Sequence, residues 1–315
     1  MNGSVPLGAN SVEMGSDPIQ IVEVGPRDGL QNEAALVPTA AKIAFVDALS
    51  AAGCRRIEVS AFVSPKWIPQ LADAAEVFAG ITRRPGVRYS ALVPNARGLE
   101  RAIACGIDDI AIFAAASETF SRKNINQSID ESLATYAAVI DQAHRAGLRV
   151  RGYLSTCFGC PFEGDVPVAR VRALTSRLLD MGVYEVAISD TIGIAHPGQV
   201  RAVVAELLGE FRPAQLALHL HDTRGTALAN VLAAVELGLR TFDSSAGGLG
   251  GCPYAPGASG NLATEDLLYA LHGLGYDTGI DLAAITRASL ALEPAVDHRL
   301  PSRYVSAVRT STARP

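Results

Sequence analysis

Eight short segments rich in β-branched residues recur along this chain, and each begins 21 to 40 residues after the one before it. Segments with helical periodicity separate them, most clearly at 129–146, where Ser128 and Glu131 form the sequence pattern of a capping box. This alternation is typical of parallel βα units. The predicted strands are 21–24, 57–59, 88–92, 109–113, 149–154, 184–189, 216–220 and 241–245. The other predicted helices are 39–52, 98–104, 167–181, 198–210, 226–238 and 264–273.

Eight strands with crossover helices predict an α/β protein, a closed TIM (β/α)8 barrel rather than an open, doubly wound sheet. No G-x-G-x-x-G turn follows the first strand, which disfavours a dinucleotide-binding fold. The barrel is predicted to span 19–295, including a C-terminal helical extension near 282–292. The flanking segments 1–18 and 296–315 are predicted to be poorly ordered tails.

The chain has 315 residues and a formal net charge of −5, which argues against a nucleic-acid partner because phosphate binding favours a basic excess. No apolar stretch approaches the roughly 20 residues needed to cross a bilayer, so no membrane partner is expected either. The first 18 residues contain no Lys or Arg and do not read as a signal or transit peptide. We therefore expect a cytoplasmic enzyme.

Polar side chains cluster where the predicted strands end and the βα loops begin, which is where TIM barrels place their reactive groups. Residues two apart on a strand face the same side, so His219 and His221 at the end of strand 7 can point together into the barrel mouth. Strand 1 is predicted to end in Arg27 and Asp28, and barrel closure would bring Asp28 near the histidines. The remaining members of this polar set are Glu58 on strand 2, Asp190 and Thr191 at the end of strand 6, and Asn261 beyond strand 8.

The His-x-His pair predicts a divalent-metal site. An isolated pair is usually two ordinary histidines, but its position at a strand end and the adjoining Asp222 favour metal binding. Without such a site, Arg27 would be an ordinary salt-bridge partner and Asp28 a turn carboxylate. Imidazole, carboxylate and amide ligands together favour Mg²⁺ or Mn²⁺ over zinc, although nitrogen ligands leave several divalent metals open.

Cysteines mark two further candidate sites. Residues 247–253 are too glycine-rich for a helix or strand and predict a mobile loop that contains Cys252, which could deliver a proton to a reaction centre. Cys157 and Cys160 form a C-x-x-C pair. Because no second pair accompanies it, a structural role is favoured there over metal or redox chemistry.

Four segments, 22–33, 63–70, 219–223 and 248–266, resemble 3-hydroxy-3-methylglutaryl-CoA lyases, and the resemblance extends over roughly 20–290. The first reads Val-Glu-Val-Gly-Pro-Arg-Asp-Gly-Leu-Gln-Asn-Glu, and the last contains Gly-Leu-Gly-Gly-Cys-Pro. Isopropylmalate synthases, homocitrate synthases and hydroxy-oxovalerate aldolases share the Arg-Asp start and the His-x-His pair. The glycine-rich cysteine loop separates the lyases from these relatives.

The resemblance implies a role for each candidate residue. It assigns Mg²⁺ or Mn²⁺ binding to Asp28, His219, His221 and Asn261. It assigns enolate stabilisation to Arg27, proton transfer to Cys252, and support of the site to Glu58, Tyr153 and Asp190. Substrate binding falls to Arg27, Gln31, Lys123, Asn124 and Thr191; the run 121–124 resembles a CoA-contacting loop, although a merely solvated loop is equally compatible with it. The expected partner is an acyl-CoA thioester, and a homodimer is expected from the resemblance alone.

The implied reaction is a metal-dependent retro-Claisen cleavage to acetoacetate and acetyl-CoA, a step of leucine catabolism and ketone-body metabolism. The group that takes the first proton stays open among Asp28, Asp190 and His219. Ala61 stands where family members have a serine near the substrate carboxylate, and Ala34 where a lysine often follows the first motif. A longer 3-hydroxy-3-alkylglutaryl-CoA ester is therefore a second possible substrate. The sequence is also compatible with a 2-oxo-acid synthase or aldolase, and with an inactive acyl-CoA-binding protein.

Overall fold

The computed structural model describes residues 17–251 and 260–312. Its eight strands form a closed, all-parallel barrel in the order β1 to β8. They are β1 Gln20–Glu23, β2 Arg56–Ala61, β3 Arg88–Leu92, β4 Asp109–Ala115, β5 Arg149–Ser155, β6 Glu185–Asp190, β7 Leu216–Leu220 and β8 Thr241–Ser244. Closure comes from β8, which pairs with β1 from Gln20↔Thr241 to Glu23↔Ser244. The prediction of a TIM barrel is confirmed.

Eleven helices are seen in the described residues, most of them packed around the outside of the barrel. They are α1 Thr39–Ala51, α2 Ala74–Gly80, α3 Ala96–Ala104, α4 Glu118–Ile125, α5 Ile129–Arg145, α6 Val168–Asp180, α7 Pro197–Leu208, α8 Ala227–Glu236, α9 Thr264–Gly273, α10 Leu282–Val296 and α11 Arg303–Thr312. The predicted capping box of α5 is present, since Ser128 Oγ accepts from Glu131 N at 3.1 Å and Glu131 accepts from Ser128 N at 2.7 Å. No helix within these parts of the chain is long and apolar enough to cross a membrane.

The polar run 121–124 belongs to α4, so its description as a loop is wrong. The Ser117 hydroxyl accepts from Phe120 N and caps the helix, and Asn126 ends it in the left-handed conformation (φ 56°). Asparagine tolerates that conformation better than most residues. A helix of eight residues with only two apolar side chains, Phe120 and Ile125, has no periodicity for the sequence to reveal.

The turn after β1 also differs from the sequence prediction. β1 stops at Glu23, and Arg27 and Asp28 lie in a single π-helical turn, Gly25–Gly29, rather than at the end of the strand. Pro26 has no backbone N–H and cannot continue the parallel ladder. The turn directs the Asp28 carboxylate toward the two histidines at the end of β7, the strand that pairs with β8.

The C-terminal segment forms α11 where a poorly ordered tail was predicted. Leu300 and Val305 are fully buried. Asp266 on α9 holds the start of α11 by accepting from Ser302 Oγ (2.7 Å), Arg303 N (3.1 Å) and Tyr304 N (2.8 Å). These partners are distant in sequence, so composition alone suggested disorder. Of the predicted N-terminal tail, 1–16 lies outside the described residues.

A buried carboxyl, Glu23, joins the closing strands to α9. Its Oε1 accepts from Gly25 N (2.8 Å) and Ala246 N (2.9 Å), and its Oε2 accepts from Thr264 Oγ1 (2.7 Å). Burial raises the pKa of Glu23 to about 7, despite these hydrogen bonds. The folded protein therefore retains a proton on Glu23 at pH values where the unfolded chain has lost it.

Glu23→Gln is expected to gain stability relative to the wild type as pH rises. At pH 4.5 the wild-type carboxyl is neutral in the folded protein and about half ionised in the unfolded chain; by pH 8 the wild-type fold must bury a charge that glutamine avoids. With the folded pKa near 7, the free energy of unfolding should move in favour of the variant by roughly 3 kcal/mol across this range. Denaturant unfolding at pH 4.5 and pH 8 measures it, with exposed Glu100→Gln as control. A difference that does not change with pH would contradict the prediction.

Candidate active site

A cavity of about 810 Å³ opens at the carboxyl ends of the strands. Most of the predicted site residues meet there although they come from separate parts of the chain. Those lining it are Arg27, Asp28, Gln31, Lys123, Asn124, Tyr153, Thr191, His219 and His221. Glu58, Asp190 and Asn261 lie behind this lining or beside it.

The candidate metal centre is formed by Asp28, His219 and His221, each of which offers one ligand atom within 4.8 Å of the others. His219 Nε2 lies 3.8 Å and His221 Nε2 4.0 Å from Asp28 Oδ2. The imidazole rings have centroids 5.3 Å apart. His221 follows β7 directly and is held by a bridge to Asn261. This is the only such group of three His, Cys, Asp or Glu side chains among the residues with described positions.

Asn261 fits the role of fourth ligand. Its Nδ2 donates both hydrogens, to Asp28 Oδ2 (2.9 Å) and to Leu249 O (3.1 Å). Its Oδ1 is buried and has no hydrogen-bond partner within the described chain. A buried amide oxygen without a partner is costly unless something else binds it. A divalent cation held by two imidazoles, a carboxylate and this oxygen would satisfy it, so the residues fit a metal.

The protonation states suit a cation. Burial, and then His219, lowers the pKa of His221 to about 4, so this imidazole is neutral near pH 7. Burial alone would raise the pKa of Asp28, but the Arg27 guanidinium beside it holds that pKa below its ordinary value. Metal ligands must be deprotonated carboxylates and neutral imidazoles. Both groups meet this requirement before any metal arrives.

Arg27 is fixed from two sides inside the cavity. Its guanidinium bonds to the Asp28 and Glu58 carboxylates, and it lies 5.3 Å from the Tyr153 ring centroid. Tyr153 donates its hydroxyl to Glu58 at 2.9 Å. Burial opposes the charged form, but the two carboxylates raise the pKa of Arg27 above its ordinary value. Glu58 and Tyr153 thus position a permanent positive charge next to the candidate metal centre.

Asp190 lies at the end of β6 as predicted, but its carboxylate faces the turn and not the cavity. It accepts from Ile194 N (3.1 Å) and Ala195 N (2.8 Å) and is almost fully buried. Burial raises its pKa. The geometry gives Asp190 the role of holding the β6–α7 loop, on which Thr191 reaches the cavity.

The substrate-binding candidates lie on three sides of the opening. Gln31 follows the turn that carries Asp28, Thr191 follows β6, and Lys123 and Asn124 project from α4. Lys123 Nζ lies 3.9 Å from the centroid of the Phe162 ring. A cation-bearing helix at the rim is suited to an anionic or polar ligand arm that extends out of the cavity.

Cys252 lies outside the described residues. Gly251, directly before it, lines the cavity, and Gly251 O accepts from Asn32 Nδ2 at 3.1 Å. The other cysteine feature is buried: Cys157 Sγ donates to Leu154 O at 2.9 Å, and Cys160 Sγ lies 2.9 Å from Ser117 Oγ. These contacts agree with a structural role for the C-x-x-C pair.

Several residues that lie beside the candidate site were not predicted from the sequence. Leu92, Phe113 and Tyr136 form an apolar wall of the cavity, and Asp243 on β8 contacts His219. One signal was available: Arg151 on β5 and Asp243 on β8 are charged residues in strands whose residues are almost all buried. A charge inside a barrel strand requires a partner, and a site is a common reason for it.

The fold and the site together define a class, TIM-barrel proteins with a candidate divalent-metal centre at the carboxyl ends of the strands. Residues 18–291 match the HMGL-like family model, and the chain belongs to that family. It is 50% identical over 289 residues to the cytoplasmic 3-hydroxy-3-methylglutaryl-CoA lyase of Rattus norvegicus, covering 92% of this chain and 84% of the relative.

Two solved structures show the same similarity. A crystal structure of HMG-CoA lyase from Bacillus subtilis has a TM-score of 0.91 and 50% identity, covering 93% of this chain and 98% of that one. An HMG-CoA lyase from Acinetobacter baumannii, in complex with coenzyme A and 3-methylmalate, has a TM-score of 0.90 and 42% identity, covering 95% and 97%. The resemblance noted in the sequence is thereby confirmed.

His221→Ala is expected to weaken Mn²⁺ binding by roughly tenfold or more, because the cation loses one ligand and the remaining ligands no longer complete the coordination geometry. Equilibrium dialysis followed by metal analysis measures the bound fraction. His144→Ala, which removes an exposed histidine on α5, is the control and should bind as the wild type does. Wild-type affinity in His221→Ala would remove His221 from the ligand set.

Proposed function

We propose that this chain is a hydroxymethylglutaryl-CoA lyase, which cleaves 3-hydroxy-3-methylglutaryl-CoA to acetoacetate and acetyl-CoA. The observation that carries the proposal is the juxtaposition of Arg27 with the Asp28, His219 and His221 cluster in one cavity. The 50% identity to an enzyme of that name over 92% of the chain agrees with it. We also propose that it acts in leucine degradation and as a homodimer, on the family resemblance alone, and in the cytoplasm, as the name of its Rattus norvegicus relative says of that protein.

The proposed resident metal is Mg²⁺ or Mn²⁺, held by Asp28, His219, His221 and Asn261. When bound, such an ion polarises an oxygen ligand and makes a hydroxyl easier to deprotonate. The tertiary hydroxyl and neighbouring carboxylate of the substrate have the oxygen chemistry that hard cations prefer. The four protein ligands converge from the β1 turn, β7 and the segment after β8, so they also orient that end of the substrate.

Arg27 acts on the other product. When a base of the site takes the hydroxyl proton and the carbon–carbon bond breaks, the bonding electrons move to the thioester portion and form an enolate; of the candidate bases, Asp28 and His219 line the cavity and Asp190 does not. The Arg27 guanidinium carries a permanent charge and several donors, so it can stabilise negative charge on the thioester oxygen. Its contacts with Glu58 and Asp28 hold it in place before the reaction, and no reorganisation is then needed.

Release of acetyl-CoA requires one proton at the enolate carbon, and we assign its delivery to Cys252. Support comes from its neighbour Gly251, which lines the cavity. Glycines at 247, 248, 250 and 251 let the preceding segment approach a ligand closely; Gly250, for example, has a φ of 122°. Lys123 and Asn124 at the rim are proposed to bind the CoA arm. The Acinetobacter relative crystallised with coenzyme A is consistent with an opening of this kind.

Purified protein is expected to form acetoacetate from 3-hydroxy-3-methylglutaryl-CoA in the presence of Mg²⁺ or Mn²⁺, and to stop when a chelator is added. Restoring the metal should restore turnover. A coupled assay for acetoacetate, run with and without EDTA, measures this. Turnover that survives complete metal removal would contradict the metal-dependent mechanism.

Metal-loaded protein that leaves the substrate intact would contradict the proposed activity. Release of CoA from acetyl-CoA and a 2-oxo acid would then identify a synthase, whereas binding of acyl-CoA without any turnover would identify an inactive binding protein. Each outcome has its own readout.

A longer 3-hydroxy-3-alkylglutaryl-CoA ester is a second candidate substrate. Ala61, at the end of β2, is buried in an apolar cluster with Leu92 and Tyr153, against which Val63 and Phe113 pack. Val63, Leu92 and Phe113 line the cavity. Ala61 lies directly behind this lining as the register partner of Leu92, so the wall has no hydroxyl behind it where family members have a serine, and it suits an added alkyl group.

Ala61→Ser is therefore expected to reduce the preference for the longer ester. Adding a hydroxyl directly behind Leu92 in the apolar wall should lower kcat/KM for that ester relative to 3-hydroxy-3-methylglutaryl-CoA by roughly tenfold, the scale of a methylene-sized contact. Steady-state kinetics with both esters give the ratio. Ala102→Ser adds the same hydroxyl at a buried alanine of α3 that lies outside this cluster, and should leave the ratio unchanged. An unaltered ratio in Ala61→Ser would exclude this wall from specificity.

A further inference from the structure

A row of charged side chains crosses the interior of the barrel beneath the candidate metal centre. Arg151 on β5 bonds to Glu185 on β6 at 2.6 Å and, through two nitrogens, to Asp243 on β8 at 2.7 and 3.1 Å. Arg56 on β2 donates to both oxygens of the Glu185 carboxylate, to Oε1 at 2.7 Å and to Oε2 at 3.0 Å. Arg151, Glu185 and Asp243 are all less than 5% exposed. Apolar side chains usually fill this layer, and buried ion pairs add little net stability over them.

The upper end of this row reaches His219. Asp243 Oδ2 lies 3.2 Å from His219 Nδ1, and the two residues are direct partners in the β7–β8 register. Arg151 supplies two N–H donors to the Asp243 carboxylate, which can therefore act only as an acceptor. His219 Nδ1 must then carry the hydrogen. The other ring nitrogen, Nε2, is left with its lone pair and lies 3.8 Å from Asp28 Oδ2.

His221 has no comparable support. In the described structure its Nδ1 is buried without a hydrogen-bond partner. Its ring is positioned by the backbone bridge to Asn261 and by packing against His219. The two imidazoles of the cluster are therefore unequal, because only His219 has a carboxylate that sets its tautomer.

We propose that Asp243, itself held by Arg151, is the positioning residue of the metal centre: it fixes His219 as the Nδ1–H tautomer and aims the free Nε2 at the metal. Carboxylates behind metal-binding histidines orient the ring and raise its basicity, and their loss typically costs 10- to 100-fold in affinity or activity. The inference rests on the metal site of the proposed function, but not on the substrate.

The tautomer can be tested in the metal-free protein. In ¹⁵N nuclear magnetic resonance spectra of protein labelled with ¹⁵N-histidine, recorded at pH 8, His219 should show a protonated Nδ1 and an unprotonated Nε2. The signals that disappear in His219→Gln identify those of His219. In Asp243→Ala the hydrogen should move, wholly or in part, to Nε2. A wild-type pattern in that variant would overturn the proposal. Metal loading and catalysis play no part in this readout.

Metal affinity gives the second test. Mn²⁺ titrations followed by electron paramagnetic resonance should show binding weakened roughly 10- to 100-fold in Asp243→Ala. Asp243→Asn keeps a carbonyl oxygen that can accept from His219 Nδ1, so it should lose less; it also carries the test if the alanine variant does not fold. The matched controls are Asp109→Ala and Asp109→Asn, which remove a buried strand carboxylate held by Arg88 and Arg149.

If the controls weaken Mn²⁺ binding as much as the Asp243 variants do, the carboxylate acts only through general stability and the proposal is overturned. Unchanged Mn²⁺ affinity in both Asp243 variants would overturn it as well. A protein that fails to cleave 3-hydroxy-3-methylglutaryl-CoA, yet loses Mn²⁺ affinity selectively in Asp243→Ala, would contradict the proposed activity while supporting this inference.

Discussion

The pairing of β8 with β1 is the contact on which the rest of the molecule depends. It removes both sheet edges and brings the turn after β1 next to the end of β7. Asp28 then lies 3.8 Å from His219 and 4.0 Å from His221, although almost 200 residues separate them. Glu23 holds the same junction by accepting hydrogen bonds from the backbone after β8 and from Thr264. The pairing that closes the barrel therefore also brings the ligands of the candidate metal centre together.

The barrel interior is more polar than packing alone requires, and its polar groups converge on the candidate site. Glu58 positions Arg27, and Asp243 contacts His219, so each of these two buried carboxylates has a partner that lines the cavity. Burying these charges costs desolvation free energy, and the attraction within the buried ion pairs returns little net stability. The cost is explained if the reaction needs the Arg27 guanidinium and the His219 imidazole held in place, because groups that are already oriented need not reorganise as charge develops.

The strand and helix pattern was predictable because it depends on local periodicity, and all eight strands were located to within a few residues. Local elements without apolar periodicity were not: α4 has only two apolar side chains, and the Arg27–Asp28 turn is set by Pro26. α11 was missed for another reason. Its start is held by Asp266, which lies 36 residues before Ser302, so the stabilising contact is invisible in the local sequence.

By itself, the sequence determined the barrel, the chemical types of the metal ligands and the family resemblance, since each depends on residue identity at short spacing. Only the tertiary structure decided which polar residues work together. The contact of Asp243 with His219, the free oxygen of Asn261 and the separation of Asp190 from the cavity depend on strand register and on how the barrel closes. Register and closure join residues far apart along the chain, and no local pattern records which partner each one meets.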